Sequence, residues 1–535
     1  MPDFKIPCPR ALLLPLLLLL PTALALAASS SPNPTPAPAT ARPNLLLILC
    51  DDLGYADLSC YGAKKIFTPH LDRLAAGGVR FTDAHTPSSV CTPTRYGLLT
   101  GRYAWRTWMK NGVLDGFDPP LIEQNRTTLA SYLRAQGYAT AAIGKWHLGM
   151  TWTKTDGQPV AFRGTAAGDA RGPHRGDVGA DFSRDTRGGP LDVGFDSFFG
   201  ISASLDMPPY VYLEGRRATA IPTASAPNQK TLVLNQSPGP VADGFVLENV
   251  LGDLTKRAVQ FIDSRANQPA PFFLYLPLTS PHLPVVPAKE FIGKSGAGIY
   301  GDFVVETDAR VGELLAALDR AKLSDNTLVI FTSDNGGLWH AWKPEERDDL
   351  AGYQPTPRAK ANAALGHHSN GTLRGTKADV WEGGHRVPFI VRWPARVPRG
   401  VTSTALVELN DTLATVATIV GAPLPRDAGE DSISFLPALL DARGATSPRT
   451  FAVHHTITGE FALRDGPWKF APQRGSGGFS NPKQVKPAAG ESPAQLYNLA
   501  ADPHETRNLA DTEKSTAARL ANRLTEIRAS PRTAP

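Results

Sequence analysis

The sequence predicts an α/β fold: a large mixed, mostly parallel sheet sandwiched by helices, with a smaller C-terminal α+β domain carrying an antiparallel sheet. Two observations support this prediction. Short apolar runs alternate with amphipathic stretches over most of the chain, as expected for buried parallel strands connected by helices. After about residue 425, the alternation gives way to short strand-like segments and a terminal helical pattern.

The predicted strands of the large sheet are apolar runs of strand length, and the first is 44–50. Similar runs occupy 138–143, 272–278, 327–331 and 389–393. Between them, apolar residues recur with helical spacing, so that one face of each segment can pack on the sheet. The predicted helices are 128–136, 246–265 and 303–321.

The main domain is predicted to span 44–424 and the smaller domain 425–535. Strands are expected in the smaller domain at 450–455, 461–464 and 468–471, with a terminal helix at 512–529. One internal segment, 152–190, is rich in Gly, Asp and Arg and has little apolar periodicity. It predicts a long surface loop.

The composition is that of a globular protein with ample core: 535 residues, 42% hydrophobic and 20% charged. The net charge of +5 comes from 55 basic and 50 acidic residues spread along the chain. This small excess gives no reason to expect a nucleic-acid partner.

Residues 1–27 have the pattern of a cleaved export signal. Lys5 and Arg10 supply the positive start, and an apolar stretch follows that ends in small residues at Ala27. The stretch is interrupted by prolines and is too short for a membrane span. We therefore expect an exported protein, periplasmic or secreted, whose Ser/Pro-rich segment 28–43 is a tether.

Polar side chains follow four of the predicted strands, at the point where each strand ends. In open α/β sheets, ligands bind outside the carboxyl ends of the strands. We therefore expect these side chains to meet at one edge of the sheet. They are Asp51, Asp52, Lys145, His147, His282, Asp334 and Asn335.

The acidic members of this set predict a metal site. Asp51, Asp52 and Asp334 offer carboxylates and Asn335 an amide, which are the hard oxygen ligands of Ca²⁺ or Mg²⁺ rather than of zinc. Seen alone, the pair Asp51-Asp52 also fits a cap or turn after a strand. Adjacent carboxylates at a buried strand end repel each other unless a cation or proton intervenes, so the metal interpretation is favoured.

The cationic candidates are Arg95, Lys145 and Lys377, together with His147 and His282. Each one alone fits a solvated charge or a packed histidine. Together they suit the stabilisation of an anionic transition state by preorganised positive charge.

Cys91 begins the segment Cys-Thr-Pro-Thr-Arg, which is soon followed by Leu-Thr-Gly-Arg at 99–102. A Cys-x-Pro-x-Arg run leading into Leu-Thr-Gly-Arg is the signature of the formylglycine-dependent sulfatases. The chain resembles that family, of arylsulfatase type, in the alkaline phosphatase-like superfamily. The alternative for Cys91 is a small buried side chain. Cys50, Cys60 and Cys91 are the three cysteines that follow the export signal, and three are too few for a disulfide framework.

Further segments that resemble this family occur in order along the chain. They are 44–54 with Asp51-Asp52, Gly-Lys-Trp-His-Leu-Gly at 144–149, Ser-Pro-His at 280–282, Ser-Asp-Asn-Gly at 333–336, Leu-Arg-Gly-Thr-Lys at 373–377 with Trp-Glu-Gly-Gly at 381–384, and Leu-Tyr-Asn-Leu at 496–499 with Asp-Pro at 502–503. An ordered series of this length covers most of the mature chain and is highly specific.

The resemblance implies that a formylglycine-generating enzyme oxidises Cys91 to an aldehyde during maturation. The aldehyde hydrate would then attack the sulfur of a sulfate ester. Ca²⁺, with Mg²⁺ as the alternative, would be held by residue 91 together with Asp51, Asp52, Asp334 and Asn335. Asp334 would also help to deprotonate the nucleophile.

The resemblance also assigns roles to the cationic residues. Arg95 and Lys145 would stabilise the hydrate and the charge on the sulfate. His282 and Lys377 would act at the leaving oxygen, as general acid and as electrostatic support. His147 would take a proton from the second hydroxyl of the hydrate, so that sulfate is expelled.

Some positions depart from the family pattern or stay open. Thr94 stands where other small residues are more frequent, but Pro93 and Arg95 beside it are kept. A serine that contacts the sulfate in some members cannot be assigned within 152–190. His385 and the pair His367-His368 fit either substrate contacts or packing, and they are left out of the core set. The segment 204–210 is expected to wall the substrate cleft.

The favoured function is a sulfuric ester hydrolase of arylsulfatase type that cleaves aryl sulfates in vitro and a sulfated carbohydrate in vivo. One alternative is a phosphodiester or phosphonate monoester hydrolase on the same scaffold. The Gly-Lys-Trp-His segment speaks against it, as do too few histidines for a two-metal site. A second alternative, a non-catalytic carbohydrate-binding relative, would have lost the nucleophile and cationic positions, and all are present. The sequence does not indicate which sugar carries the sulfate.

Overall fold

A ten-stranded sheet forms the centre of the fold in the computed structural model, which describes residues 42–161, 178–340, 356–441 and 447–535. The predicted export signal and most of the predicted tether lie outside the described residues. The strands are β1 (Asn44–Cys50), β2 (Val79–Phe81), β3 (Ala84–His85), β4 (Ala139–Lys145), β5 (Ser197–Ile201), β6 (Leu213–Glu214), β7 (Arg217–Ala218), β8 (Ala224–Ala226), β9 (Gln229–Lys230), β10 (Asn235–Gln236), β11 (Gly239–Val241), β12 (Phe272–Pro277), β13 (Thr327–Ser333), β14 (Phe389–Arg392), β15 (Val401–Ser403), β16 (Val407–Glu408), β17 (Phe451–His455), β18 (Phe461–Asp465), β19 (Trp468–Ala471) and β20 (Gln495–Asn498).

The helices range from a single turn to more than six turns. They are α1 (Pro69–Ala76), α2 (Cys91–Thr100), α3 (Leu129–Ala135), α4 (Val250–Ser264), α5 (Gly298–Arg320), α6 (Pro357–Ala364), α7 (Glu382–His385), α8 (Thr412–Val420), α9 (Leu436–Leu440) and α10 (Lys514–Ala529). Among the described residues, no helix combines the length and the apolar character needed to cross a membrane.

The central sheet has the strand order β15-β2-β14-β13-β1-β12-β4-β5-β6-β7. The five strands from β13 to β5 pair in parallel, whereas β14 and β6 join their neighbours antiparallel. The predicted mixed, mostly parallel sheet is therefore confirmed. All five predicted strands are present, and β14 is the one that runs antiparallel to its predicted neighbour.

Helices cover both faces of this sheet because its central strands are apolar on both sides. In β1, Leu45, Leu47 and Leu49 pack into one hydrophobic cluster, while the alternate residues Leu46 and Ile48 pack into a second cluster. Residues of α2, α3 and α8 belong to the first cluster, and residues of α1, α4 and α5 belong to the second. The sandwich of helices around the sheet is confirmed.

The C-terminal sheet has four antiparallel strands in the order β17-β18-β19-β20. Leu520 and Leu524 of α10 pack against Val453 and Leu463 of this sheet in a separate hydrophobic cluster. The predicted small antiparallel sheet is confirmed. The division of the chain near residue 425 stays a prediction.

Two element predictions differ from the structure. Helix α5 begins at Gly298, five residues before the predicted start. The prediction missed these residues because Asp302 interrupts the apolar pattern. Asp302 is nevertheless buried, where its carboxylate accepts the N–H groups of Gly293 and Ser295. The segment 152–190 is not a surface loop throughout. Trp152 and Phe182 are buried with ring centroids 5.3 Å apart, and 162–177 lies outside the described residues.

Arg449 forms a buried ion-pair network that joins the segment before β17 to the turn before α8. Its guanidinium donates to both carboxylate oxygens of Asp411 and lies 3.1 Å from Glu408, and its side chain is 1% exposed. We expect Arg449→Leu to lower the free energy of unfolding by about 3–5 kcal/mol, because the buried carboxylate of Asp411 loses the cation that compensates its charge. Urea denaturation measures this change.

The matched control is Arg320→Leu, which removes an ion pair with Asp263 whose side chains are 55% and 47% exposed. Exposed pairs of this kind contribute less than about 1 kcal/mol. A loss of stability at Arg449 no larger than at Arg320 would contradict the structural role of the buried network.

Candidate functional site

The carboxyl ends of four adjacent strands bring the predicted site residues together. The strands β13, β1, β12 and β4 are neighbours in the sheet, and Cys50 at the end of β1 pairs with Ser333 at the end of β13. This register puts Asp51 and Asp334 side by side, and the N–H of Asp334 donates to the carbonyl of Cys50 at 3.1 Å. The parallel arrangement of the strands is therefore what places the polar residues at one edge.

The acidic residues at this edge are fully buried and tied to one another. The backbone N–H of Asp52 donates to Oδ1 of Asp334 at 3.2 Å, and the amide of Asn335 donates to Oδ1 of Asp52 at 2.7 Å. Asp52 adopts a φ of 64°, a left-handed conformation that costs energy in a non-glycine residue. The contacts on both sides of Asp52 hold this conformation in place.

Each of the three carboxylates has its own cation. Nζ of Lys145 lies 2.5 Å from Oδ2 of Asp51, and Nζ of Lys377 lies 2.7 Å from Oδ1 of Asp52. The guanidinium of Arg95 donates twice to Oδ2 of Asp334, from Nε at 2.9 Å and from Nη2 at 2.7 Å. Buried charges persist only when paired in this way.

The cations decide the protonation of Asp51. Burial alone would raise the pKa of this carboxyl group, but its interactions with Lys145, His282 and Arg95 outweigh burial. The pKa of Asp51 therefore lies well below its usual value, and the group is a carboxylate.

Cys91 is the first residue of α2 and its thiol points at this network. Its Sγ donates to Oδ1 of Asp51 at 3.6 Å, and Nζ of Lys377 donates to Sγ at 3.4 Å. Burial raises the pKa of the thiol well above its usual value, although Lys145 and Lys377 act in the opposite direction. Because the thiolate is the nucleophilic form of cysteine, the unmodified side chain is poorly suited to attack.

His147 has one ring nitrogen held by a hydrogen bond and the other without a partner among the described residues. Its Nε2 lies 2.7 Å from the carbonyl oxygen of Leu114, which requires a proton on Nε2, whereas its buried Nδ1 is the nitrogen without a partner. Burial lowers the pKa of His147, and the charges of Lys145 and Arg95 lower it further. The neutral ring therefore presents an unoccupied proton acceptor at Nδ1.

His282 is oriented through its Nδ1, which donates to the carbonyl of Leu283 at 2.6 Å and also lies 3.1 Å from Oγ of Ser204. The other nitrogen, Nε2, lies 3.7 Å from Oδ2 of Asp52. This geometry leaves Nε2 directed towards the carboxylates.

The residues present fit a hard divalent cation. Oδ2 of Asp52 and Oδ1 of Asn335 are buried acceptors without a hydrogen-bond partner in the described part of the chain, which is costly unless a cation or water satisfies them. Potential ligand atoms of Asp51, Asp52, Cys91 and His282 all lie within 4.8 Å of one another. His282, for which the resemblance implied a role at the leaving group, thus lies beside the predicted metal ligands.

The structure brings together all the predicted catalytic and metal-binding residues, and it adds groups that the sequence did not indicate. The carbonyl of Leu114 and the hydroxyl of Ser204, which orient the two histidines, come from separate loops. A backbone carbonyl leaves no residue-type signal. Ser204 begins the segment expected to wall the cleft, but its contact with His282 follows only from the fold.

The histidines left open by the sequence are packed against other parts of the chain. His385 is stacked on His454 with ring centroids 3.7 Å apart, and His367 lies 2.7 Å from a carboxylate oxygen of Asp57. The ring of His368 lies 6.1 Å from that of His340. For His385 and His367, which are buried, these contacts favour the packing alternative.

Comparison with known proteins identifies related chains. A family model described as Sulfatase matches residues 43–422. The N-acetylgalactosamine-6-O-sulfatase of Bacteroides thetaiotaomicron is 34% identical over 521 residues, covering 91% of this chain and 93% of that protein. Human arylsulfatase A is 34% identical over 488 residues, covering 87% of this chain and 83% of that protein.

One solved structure comes from work on the metabolism of multiple glycosaminoglycans by Bacteroides thetaiotaomicron. It superposes with a TM-score of 0.74 at 32% identity and covers 91% of this chain and 100% of that chain.

We expect Ca²⁺ to stabilise the chelator-treated protein, because a cation that binds the folded carboxylate cluster but not the unfolded chain favours the folded state. At a concentration of about 100 times Kd, the gain in free energy of unfolding is about 2.7 kcal/mol. Thermal denaturation with and without Ca²⁺ measures it. Asn335→Ala should lose most of the gain, since it removes one unpaired buried oxygen, whereas Asp427→Ala at an exposed position should keep it. An equal gain in both variants would place the cation elsewhere.

Proposed function

The chain belongs to the sulfatase family and is a sulfuric ester hydrolase, and we propose that it works through a formylglycine made from Cys91 beside a bound Ca²⁺. The observation that carries this proposal is the setting of Cys91. Its thiol is buried, has a raised pKa, and lies between Asp51 and Lys377. A thiol in this setting is a weak nucleophile, whereas an oxygen nucleophile at the same position would meet a carboxylate and a cation.

The proposed formylglycine hydrate supplies two hydroxyl groups, one to attack sulfur and one whose deprotonation releases sulfate. Ca²⁺, held by Asp51, Asp52, Asp334 and Asn335 beside residue 91, would act as a Lewis acid that stabilises negative charge. Maturation requires a formylglycine-generating enzyme as a partner. We also propose that the chain is exported, because of the pattern of its N-terminal residues.

Arg95 and Lys145 are proposed to stabilise the charge on the sulfate group. Both are fully buried and already held by Asp334 and Asp51, so neither has to reorganise when negative charge develops. Fixed donors in a site closed to water contribute more than mobile ones, because their orientation is set before the reaction.

His147 is proposed to accept the proton from the second hydroxyl group. Its Nδ1 is the only unprotonated ring nitrogen once Nε2 donates to Leu114, and no described group competes for it. The lowered pKa keeps the ring neutral, which is the form a general base requires.

His282 and Lys377 are proposed to act at the leaving oxygen. Nε2 of His282 is the nitrogen not used in binding Leu283, so it is available to carry a proton to the leaving group. Lys377 lies beside Cys91 Sγ and would support that transfer electrostatically.

We propose a sulfated saccharide as the natural substrate, with aryl sulfates as convenient test substrates. The support comes from relatives: one similar protein is an N-acetylgalactosamine-6-O-sulfatase, and the similar solved structure concerns glycosaminoglycan metabolism. The match to the sulfatase family and the relatives that are sulfatases speak against a phosphodiester or phosphonate hydrolase and against a non-catalytic carbohydrate-binding relative.

The nucleophile is tested by changing Cys91. In protein produced with a formylglycine-generating enzyme, mass spectrometry of the Cys91 peptide should find an aldehyde in place of the thiol. Cys91→Ala should reduce release of sulfate from 4-nitrophenyl sulfate by about 10⁴-fold or more. Cys60→Ala, at a half-buried cysteine outside the site, should retain activity. Active protein with an intact Cys91 thiol would refute the proposal.

The role of His282 is tested with two leaving groups. His282→Ala should slow hydrolysis of a sugar sulfate by about 10²–10⁴-fold, because an alkoxide needs a proton to depart. The loss of rate should be far smaller with 4-nitrophenyl sulfate, because its nitrophenolate leaving group departs without needing a proton. His504→Ala, at a half-buried histidine outside the proposed site, should leave both rates unchanged. Equal losses on both substrates would exclude His282 as the general acid.

A further inference from the structure

A second concave site lies away from the candidate active site, in a cavity of about 1210 Å³. Its walls come from the segment that follows α2, the turn between β17 and β18, and the end of α10. None of the proposed catalytic or metal-binding residues lines it. We call it the basic cavity, after the cations that line it: Arg102, Arg106, Lys110, Arg426, Arg528 and Arg532.

The acidic groups near the basic cavity are already paired. Glu430 is the acidic residue in its lining, and Arg102 lies 3.2 Å from it. Arg106 donates twice to Asp431, at 2.8 Å in each case. Two of the lining cations are therefore neutralised by carboxylates.

The other four lining cations form no ion pair with a carboxylate in the described part of the chain. Lys110 donates to the carbonyl of Trp105 at 2.6 Å, and Arg532 donates to the carbonyl of Arg426 at 3.1 Å. The pKa of Lys110 is lowered by partial burial and by the charges of Arg102 and Arg528. A cavity with this excess of positive charge attracts anions.

The aromatic residues that line the basic cavity argue against a nucleic acid as its anionic partner. Arg106 lies 4.4 Å from the ring centroid of Trp105, and Arg528 lies 4.2 Å from that of Phe461. These guanidinium groups cover the ring faces on which nucleic-acid bases would stack.

We propose that the basic cavity binds a sulfated or carboxylated segment of the saccharide chain whose sulfate ester the enzyme hydrolyses. This inference rests on the saccharide substrate given under the proposed function. Arginine forms paired hydrogen bonds to planar sets of anionic oxygens. The volume slightly exceeds the usual range for small-ligand sites and suits a segment of more than one sugar.

The basic cavity and the active site lie at opposite ends of one element. Cys91 begins α2, whereas Arg102 follows its end, and a helix of this length spans about 15 Å. The chain then returns from Lys110 in the cavity to Leu114, whose carbonyl orients His147. A saccharide chain long enough to reach both places would be held at two points.

Binding is tested in the full-length Cys91→Ala protein, which keeps the oligosaccharide intact. The probe is a size-defined chondroitin 6-sulfate oligosaccharide, and calorimetry at low ionic strength gives its Kd. The cavity variant adds Lys110→Ala, Arg426→Ala and Arg528→Ala. The control variant instead adds Lys256→Ala, Lys294→Ala and Arg399→Ala, which remove the same charge from exposed positions elsewhere. Circular dichroism verifies that both variants are folded.

We expect the cavity variant to bind about tenfold more weakly, from the sum of three modest ionic contacts, and the control variant to bind as the parent does. Desulfated oligosaccharide, which keeps its carboxylates, should bind more weakly than the sulfated probe. Equal weakening in the two variants, unchanged binding in the cavity variant, or tighter cavity-dependent binding of single-stranded oligothymidylate would each overturn the inference.

Activity separates this inference from the proposed function. With Cys91 intact, the cavity variant should hydrolyse 4-nitrophenyl sulfate at the parent rate but show a raised KM, with unchanged kcat, for a sulfated oligosaccharide. A parent protein that releases no sulfate would refute the proposed function. The binding comparison would still show whether the basic cavity binds the oligosaccharide. Normal sulfate release with no cavity-dependent binding would refute this inference alone.

Discussion

The compensation of three buried carboxylates by three buried cations is the constraint on which the rest of the candidate site depends. Lys145, Lys377 and Arg95 contact Asp51, Asp52 and Asp334 respectively. Loss of any one of these partners would leave an unpaired charge away from water, which costs far more than breaking a surface ion pair. The strands fix the carboxylates, and the carboxylates in turn fix segments that are distant in the sequence.

This arrangement supplies positive charge before any substrate arrives. The two histidines are also held in advance, because Leu114 and Leu283 each engage one ring nitrogen and leave the other available. Such preorganisation matters for a dispersed anionic charge, since no solvent or side chain then has to reorient during the reaction. The segment after α2 that carries Leu114 also carries Lys110 of the basic cavity, so the region around α2 brings together two sets of cations with different surroundings.

Much of this fold follows from local sequence. The continuous apolar runs of β1 and β13 predict buried parallel strands, and the acidic residues directly after them predict a site at the sheet edge. What local sequence lacks is contact across the fold. The carbonyl of Leu114 has no residue signature, and Trp152 is buried by partners such as Phe117 and Phe182. The strands near the sheet edges have only two or three residues, too few for a periodicity to be detected. Each of these features is determined by tertiary packing rather than by its own segment.

Every residue of α2 is buried, and the side chain of Cys91 at its start has almost no contact with solvent. A second protein cannot reach a sulfur in that position once the helix has docked on the sheet. The oxidation proposed for Cys91 must therefore be completed while this segment is still an accessible peptide. Maturation and folding then compete in time, and a molecule that folds first retains an inert thiol at the centre of an otherwise complete site.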